Sequence, residues 1–562
     1  MKPFVGIWQD LKARAPYYLD DYVKGFHPKV LAAAIFMFFT SIAPAITFAA
    51  TLDIGTKGQM GAVEIILSQT ICGVIFAIFA GQPLVIVGVT GPVSIFTLTA
   101  YELAKLFDIN FLNWYAWIGL WAALMHVILA AVNACELVRI VTRFSCEVFG
   151  CLIAVIYIWN AVALLVDMFG KDGTAAALLS ILLAIGTHWL ATLMSGARLW
   201  TMFKKPIRTI ISDYAAATSI VVFTVVQYIP PLDEIKIALL EVPLTFEPTL
   251  KVGGVVRSWL VPFWDCPIPH VFSAIVPALI LTILFYFDHN VSSILAQKAE
   301  YCLKKPAAYN LDFLWIGIMI AICAILGIPP TNGLIPQAPL HTESLRVMRV
   351  KDNGEEEVEY VVEQRVSGLL QSVFIGCTLI PPILRTLGRI PIGVLCGLFL
   401  FMGVSSFSGN EFFERFTLFF VDKNLRERAC SADWIKTVPF STVVKFTMVQ
   451  LVFLVVIFVV TRTPAAICFP VAIALLVPTR SHILPKFLGE EAVNALDDNA
   501  VPDDPVPIVA DVEKGKEIGT EKAIENGSGN TNGNEIADRQ ATGEKEMAVV
   551  GTTSSVAAGN PQ

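Results

Sequence analysis

Twelve stretches of this chain contain no Asp, Glu, Lys or Arg, and most are about as long as a bilayer is thick. They run 30–52, 65–101, 109–135, 148–166, 173–197, 214–232, 266–287, 313–342, 366–384, 390–410, 446–461 and 463–479. Roughly 20 apolar residues in a helix cross a hydrocarbon core. The fold class expected is therefore an all-α polytopic membrane protein. Only 15% of the 562 residues are charged, against about 25% in soluble domains. The formal net charge of −7 is concentrated at one end, because 497–562 holds 13 Asp+Glu against 5 Lys+Arg. The rest of the chain is close to neutral, so nucleic-acid binding has no electrostatic footing.

The chain has 11 cysteines, but most lie inside apolar runs and no two form a C-x-x-C pair. They read as small hydrophobic fillers between helices rather than as a disulfide framework or a metal site. No P-loop, metal-ligand set or catalytic triad appears, so neither enzymatic activity nor a cofactor is expected. No cleavable signal peptide is visible, since 1–29 has no apolar core.

Two of the twelve runs are too long for one span. Ile65–Tyr101 and Phe313–Thr342 each hold a full helix, a Gly/Pro-rich break and a further short apolar piece. Splitting both predicts 14 transmembrane elements, seven before the polar loop 233–265 and seven after it, with the third and tenth broken as half-helices. An even count puts both termini on one side. The basic loops Glu136–Arg143, Arg198–Arg208, Lys298–Lys305 and Arg346–Arg365 fall on that side too, which makes it cytoplasmic. Residues 1–29 are expected to be an amphipathic segment on the cytoplasmic surface, and 410–441 one or two interfacial helices. The tail 481–562 is expected to be disordered from about 497, where Gly, Asn, Glu and Lys replace aromatics.

The chemistry is expected where the two breaks meet. Gly81-Gln82-Pro83 precedes Gly88-Val89-Thr90-Gly91-Pro92 in the first half, and Gly327-Ile328-Pro329-Pro330 precedes Thr331-Asn332-Gly333-Leu334-Ile335-Pro336-Gln337 in the second. Two half-helix N-termini facing one point near the midplane offer free N–H groups and positive dipole ends, an anion site without a fixed positive charge. Asp288 lies about one span from Asp265, deep in the membrane, where a carboxylate is costly unless it has a function. It can exchange a proton or hold a hydroxyl-bearing substrate. His289 points about 100° away from it and is secondary. His126 and His188 read as interhelical hydrogen-bond partners, and Glu147 and Asp213 as dipole partners at helix starts.

The stretch Arg389-Ile390-Pro391-Ile392-Gly393-Val394-Leu395-Cys396-Gly397-Leu398-Phe399-Leu400-Phe401-Met402-Gly403-Val404-Ser405-Ser406 resembles the bicarbonate and anion-exchanger family, solute carrier family four. So do Gly81-Gln82-Pro83-Leu84 with Gly91-Pro92, Ser41-Ile42-Ala43-Pro44-Ala45-Ile46-Thr47-Phe48, and Thr463-Pro464-Ala465, over roughly 3–498. Pro329-Pro330-Thr331-Asn332-Gly333 and Pro336-Gln337-Ala338-Pro339-Leu340-His341-Thr342 are similar to the borate exporters of plants and fungi. Animal anion exchangers carry an arginine where Gln337 aligns and a glutamate where Thr97 aligns. About 30 residues precede the first span, so the large N-terminal domain of the animal members is not expected.

The resemblance implies a seven-plus-seven inverted repeat. Its core domain would be 30–135 (elements 1–4) with 266–388 (8–11), and its gate domain 136–232 (5–7) with 389–480 (12–14). An elevator-like cycle, a homodimer through the gate, and substrate contacts from Thr90, Gly91, Asp288, Asn332, Gly333 and Gln337 follow by the same resemblance, with Asn332 to Gln337 along the second half-helix. The function expected is boron efflux as borate across the plasma membrane, with Asp288 also the candidate for proton coupling and the vacuolar membrane as the alternative location. Borate, a tetrahedral anion with several hydroxyls, needs both donors and acceptors. The nearest rival is exchange of bicarbonate, chloride or another inorganic anion. A nucleobase–proton symporter fits the half-helices but not the motifs, and a non-transporting scaffold leaves Asp288 unexplained.

Overall fold

The computed structural model describes residues 3–140, 142–171, 173–240, 245–252, 254–350, 356–430, 432, 434–463 and 469–497. The expectations for the acidic tail beyond 497 lie outside these residues. Apolar runs become helices because a bilayer offers no partner for a free N–H or C=O, and a helix satisfies both within one segment. Two short helices, α1 (Val5–Arg14) and α2 (Tyr18–Val23), lead into α3 (Pro28–Gly55) and α4 (Ala62–Phe79). A two-residue strand β1 (Val87–Gly88) precedes α5 (Gly91–Leu106), α6 (Phe111–Ala131), α7 (Arg143–Lys171), α8 (Thr174–Ser195), α9 (Lys205–Asp213) and α10 (Ala215–Val226). The polar stretch then carries the antiparallel pair β2 (Lys251–Val252) and β3 (Val255–Val256). Next come α11 (Ile268–Ser273), α12 (Ile275–Ala296), α13 (Tyr309–Leu326), β4 (Asn332–Gly333) and α14 (Gln337–Ser344). A second pair, β5 (Arg346–Val350) with β6 (Glu356–Val361), stands before α15 (Val366–Cys377), α16 (Pro381–Leu387) and α17 (Ile392–Ser405). Short helices follow α17, before the long Phe440–Val460 and the shorter Phe469–Ala474.

Among the described residues nine helices are long and apolar enough to cross a membrane, and α9 with α10, bent by 64°, make a tenth. Fourteen elements are expected. The other apolar sequence forms the broken elements around α5 and α14 and the shorter helices α15 and α17, of 12 and 14 residues.

Small residues let these helices approach closely, as membrane packing favours. A side chain on Gly393 or Gly397 of α17 would lie 2.5 or 2.4 Å from the carbonyl oxygens of Ser180 or Ala184 on α8. Three tryptophans on α6 hold the chain before α12. Trp114 Nε1 donates to the His270 carbonyl, Trp117 Nε1 to Phe263 and Trp121 Nε1 to Val271, at 3.1, 2.8 and 3.0 Å. The cysteines described are free, and all but Cys302 and Cys377 are buried.

Polar contacts pin the N-terminal segment to the protein. The Gly6 N–H donates to Asn133 Oδ1 at 2.7 Å, and Asp10 Oδ2 accepts from the N–H groups of Asn310 and Leu311 at the start of α13. Asp21 is fully buried among Arg14, Lys305 and Arg365, at 3.3, 2.5 and 3.0 Å.

Glu147 and Asp213 are likewise more than dipole partners. Glu147 pairs with the buried Arg415 at 2.8 Å, and Asp213 ends α9 rather than starting a span and binds Arg198 at 2.8 Å and Lys29 at 3.6 Å. His126 keeps its Nδ1 contact inside its own helix, 2.7 Å from the Ala122 carbonyl, and meets α13 by stacking on Phe313. At the far end, Asp497 accepts from the Phe144 N–H at 2.8 Å and binds Arg480 Nε at 2.6 Å, which ties this segment to the start of α7.

Candidate functional site: a crossing of two broken segments

Pro83 in the first break and Pro329 and Pro330 in the second cannot donate to a helix, and both segments run extended, with Pro92 and Pro336 standing at the starts of α5 and α14. Each supplies the other's missing partners. β1 and β4 pair antiparallel, Val87 opposite Gly333 and Gly88 opposite Asn332, and the Leu334 N–H donates to the Ile86 carbonyl at 2.8 Å. Glycine is required where the pair packs on its supports. A Cβ on Gly333 would lie 2.9 Å from Ser292 Cβ and 3.2 Å from His289 Cα of α12.

Side chains from outside the crossing fix the first break. Asp312, fully buried in the first turn of α13, accepts from the N–H groups of Gly81 at 2.5 Å and Gln82 at 3.2 Å. Arg365 donates to the carbonyls of Ala77 and Ala80 at 3.2 and 2.6 Å, capping the C-terminus of α4. After β1, Thr90 is the N-cap of α5, its hydroxyl oxygen accepting from the Val93 N–H at 3.3 Å. After β4 the chain stays extended through Leu334 and turns helical at Gln337. Asn332 to Pro336 therefore lie ahead of the second half-helix rather than along it, because Pro336 supplies no N–H and Asn332 and Gly333 are committed to the strand.

A cavity of about 20 Å³, room for roughly one water, lies where the two segments meet α7 and α12. Thr90, Gly91 and Asp288 line it, together with Ile335 and Pro336 from the second segment and Ile153, Ile156 and Tyr157 from α7. Ile335 and Pro336 also border a vestibule of about 1230 Å³ whose lining carries Arg143, Arg198, Lys298 and Arg346, each paired with a carboxylate of the same lining, Glu411, Asp213, Glu300 and Glu343 respectively. Asp288 Oδ1 has no hydrogen-bond partner among the described residues, and neither has Gln337 Oε1. Gln337 Nε2 donates to the Thr40 carbonyl at 3.1 Å and to Tyr157 Oη at 3.3 Å, so Gln337 borders the cavity through Tyr157.

Three of the six expected site residues, Thr90, Gly91 and Asp288, thus line one cavity, and Gln337 is bonded to its Tyr157. Asn332 and Gly333 do not line it: Asn332 Nδ2 donates to the Phe285 carbonyl at 3.3 Å, and Gly333 is packed against α12. His289 lies away from the cavity, its ring against Phe76. Thr97 is buried and shares a 2.8 Å hydrogen bond with Tyr115. Tyr157 and Asp312 are the residues that sequence reasoning missed. Asp312 ends a charge-free run and looks like an ordinary boundary residue, and Tyr157 is one aromatic among many in its span.

Among the described residues, the arrangement offers two helix starts, a buried carboxylate oxygen without a partner, and a cavity lining without lysine or arginine. It suits a small polar solute that brings its own hydrogen-bond donors.

The family described as "HCO3- transporter integral membrane domain" matches residues 2–175 and 171–501. The chain is 37% identical over 476 residues to "Boron transporter 1" of Saccharomyces cerevisiae, covering 84% of this chain and 81% of that one. It is 31% identical over 599 residues to "Boron transporter 4" of Arabidopsis thaliana, covering 88% and 87%. It is 30% identical over 520 residues to the human "Band 3 anion transport protein", covering 88% of this chain and 56% of band 3.

Proposed function

We propose, for a chain that belongs to the HCO3- transporter integral membrane domain family, that it carries borate and exports boron from the cell. The family is one of membrane transporters, not enzymes, and the similarity to the yeast and plant boron transporters supports the borate branch. The observation that carries the reading is the buried Asp288 Oδ1, without a partner among the described residues and in one cavity with the capped start of α5, while Gln337, whose Oε1 also lacks such a partner, bonds the cavity's Tyr157. An unpaired buried acceptor costs about 1–3 kcal/mol. Chloride brings no hydrogen to such a site and bicarbonate one hydroxyl, whereas borate brings four, each able to donate to these oxygens. Its charge meets the N-terminal ends of α5 and α14.

Asp288 then has two occupants to choose between. Oδ1 accepts a substrate hydroxyl or takes up a proton, and that competition is the proposed proton coupling. Thr90, Gly91 and Gln337 complete the site, with Asn332 and Gly333 as its backbone support. A site held between the crossing and α7 supports a core that slides against a gate. The seven-plus-seven repeat, the elevator cycle and a gate-mediated homodimer belong to this proposal. So do the plasma membrane as location and cytoplasmic termini.

The test is boron efflux from preloaded cells expressing wild type or Asp288→Asn at matched surface amount, with pH set on both sides. Protein-dependent efflux that collapses in the mutant is the expected result. A well-folded surface protein that moves no boron would sink the reading. The 30% identity to band 3 would then favour exchange of bicarbonate or chloride.

A further inference from the structure

His341 stands one helical turn beyond Gln337 on α14 and is fully buried. Its Nδ1 lies 2.8 Å from the Leu84 carbonyl oxygen, and its Nε2 lies 2.6 Å from the Ser367 hydroxyl. A carbonyl oxygen only accepts, so Nδ1 carries the hydrogen. Nε2 is then the acceptor and Ser367 donates to it. The Ser367 oxygen in turn accepts from Gln364 Nε2 at 2.5 Å, and Gln364 Oε1 accepts from the Ser367 N–H at 2.8 Å. The donors therefore run one way, from Gln364 through Ser367 and His341 to Leu84, and the imidazole has no polar atom left over.

Leu84 lies in the break between α4 and β1. Its N–H donates to Gln82 Oε1 at 3.3 Å, and the Gln82 N–H is held by Asp312. The β1–β4 pair joins two residues to two, a contact short enough to act as a hinge. A second tie, between the loop before β1 and the helix after β4, removes the rotation that a hinge would allow.

We propose that His341, as its neutral Nδ1–H tautomer, is a positioning residue of the anion site. It holds the second half-helix to the loop that delivers β1 and Thr90, and so sets the spacing of the two helix starts. The proposal rests on the reading that Thr90, Gly91, Asp288 and Gln337 form the substrate site.

Asparagine carries an N–H at the same number of bonds from the backbone as Nδ1, and glutamine at that of Nε2. The experiment measures KM and maximal rate of boron efflux for wild type, His341→Asn, His341→Gln and His341→Leu at matched surface amount, with thermal unfolding of the purified variants. Asn is expected to keep KM within about twofold of wild type while Gln and Leu raise it about tenfold or more, the scale of effect that misplacing a site by a fraction of an ångström produces. The Gln and Asn variants are expected to unfold at similar temperatures. Equal KM for Asn and Gln, or a wild-type KM in Leu, overturns the assignment while the wild type still transports. No boron flux from a surface-exposed wild type overturns the transport reading and this proposal with it. If Leu fails to reach the surface, the Asn and Gln pair still decides.

Discussion

The crossing and the N-terminal ion cluster are equally buried and opposite in design. Around Asp21 every charge has an opposite charge in contact: Arg14, Lys305 and Arg365 all reach it, and the side chains of all four are no more than 3% exposed. At the crossing, among the described residues, Asp288 has no ion-pair partner and its Oδ1 has no hydrogen-bond partner. Burial alone therefore does not separate structural from functional charge. Ion pairing does, because a charge already held by opposite charges is committed to the fold, whereas a buried carboxylate without a cation is free to meet a ligand.

Mutating the saturated side should remove folded protein. Asp21→Asn strands Arg14 and Arg365 and should cost about 3–5 kcal/mol, seen as loss of surface protein and a lower melting temperature, with normal flux per surviving molecule. Asp288→Asn should do the reverse. It should leave the melting temperature nearly unchanged and cut boron efflux roughly ten- to hundredfold, as expected for losing a charged hydrogen bond of about 1.5–3 kcal/mol. If both mutants lose fold and flux in proportion, the distinction between the regions is wrong. Gln337→Ala should lower flux by about two- to tenfold, the range for a neutral hydrogen bond.

Glu363, at the edge of the saturated cluster, gives a smaller and pH-dependent effect. Burial pushes its carboxyl above the ordinary value of 4.5, against the N–H groups of Lys304 and Lys305 and the charge of Arg14, which pull it down. The folded protein therefore keeps this proton to a higher pH than the unfolded chain. The contribution to stability is full below pH 4.5 and is lost as pH rises through the folded value. Glu363→Gln should flatten that part of a melting-temperature profile, and an unchanged slope would assign the dependence elsewhere. The smallest effect is expected from deleting 505–562, which should leave flux per surface molecule unaltered. A cut before Asp497 removes the partner of the Phe144 N–H and of Arg480 and should not be silent.

Legibility in the sequence follows the range of the interaction. The apolar runs, the two breaks and Asp288 are local signals, and the breaks do meet. The N-terminal clamp, the Glu147–Arg415 pair and the Asp312 cap join residues 127, 268 and 231 positions apart, and no local period records such pairing. Gln337 shows in the sequence as a departure from an aligned arginine, but its contact with Tyr157 needs the fold. The β5–β6 pair was legible in principle, since Asn353-Gly354 between alternating apolar residues is a turn signal. The reading of a basic cytoplasmic loop concealed it.

The two-by-two pairing of β1 with β4 also sets a schedule for biogenesis. Val87 waits for Gly333, 246 residues later. At about 5–20 residues per second of synthesis, that is roughly 12–50 s. For that interval the first break has an unpaired backbone in or beside the membrane, and lipid cannot satisfy it. The nascent first half must therefore be sheltered, by the insertion machinery or by water, until the second half arrives.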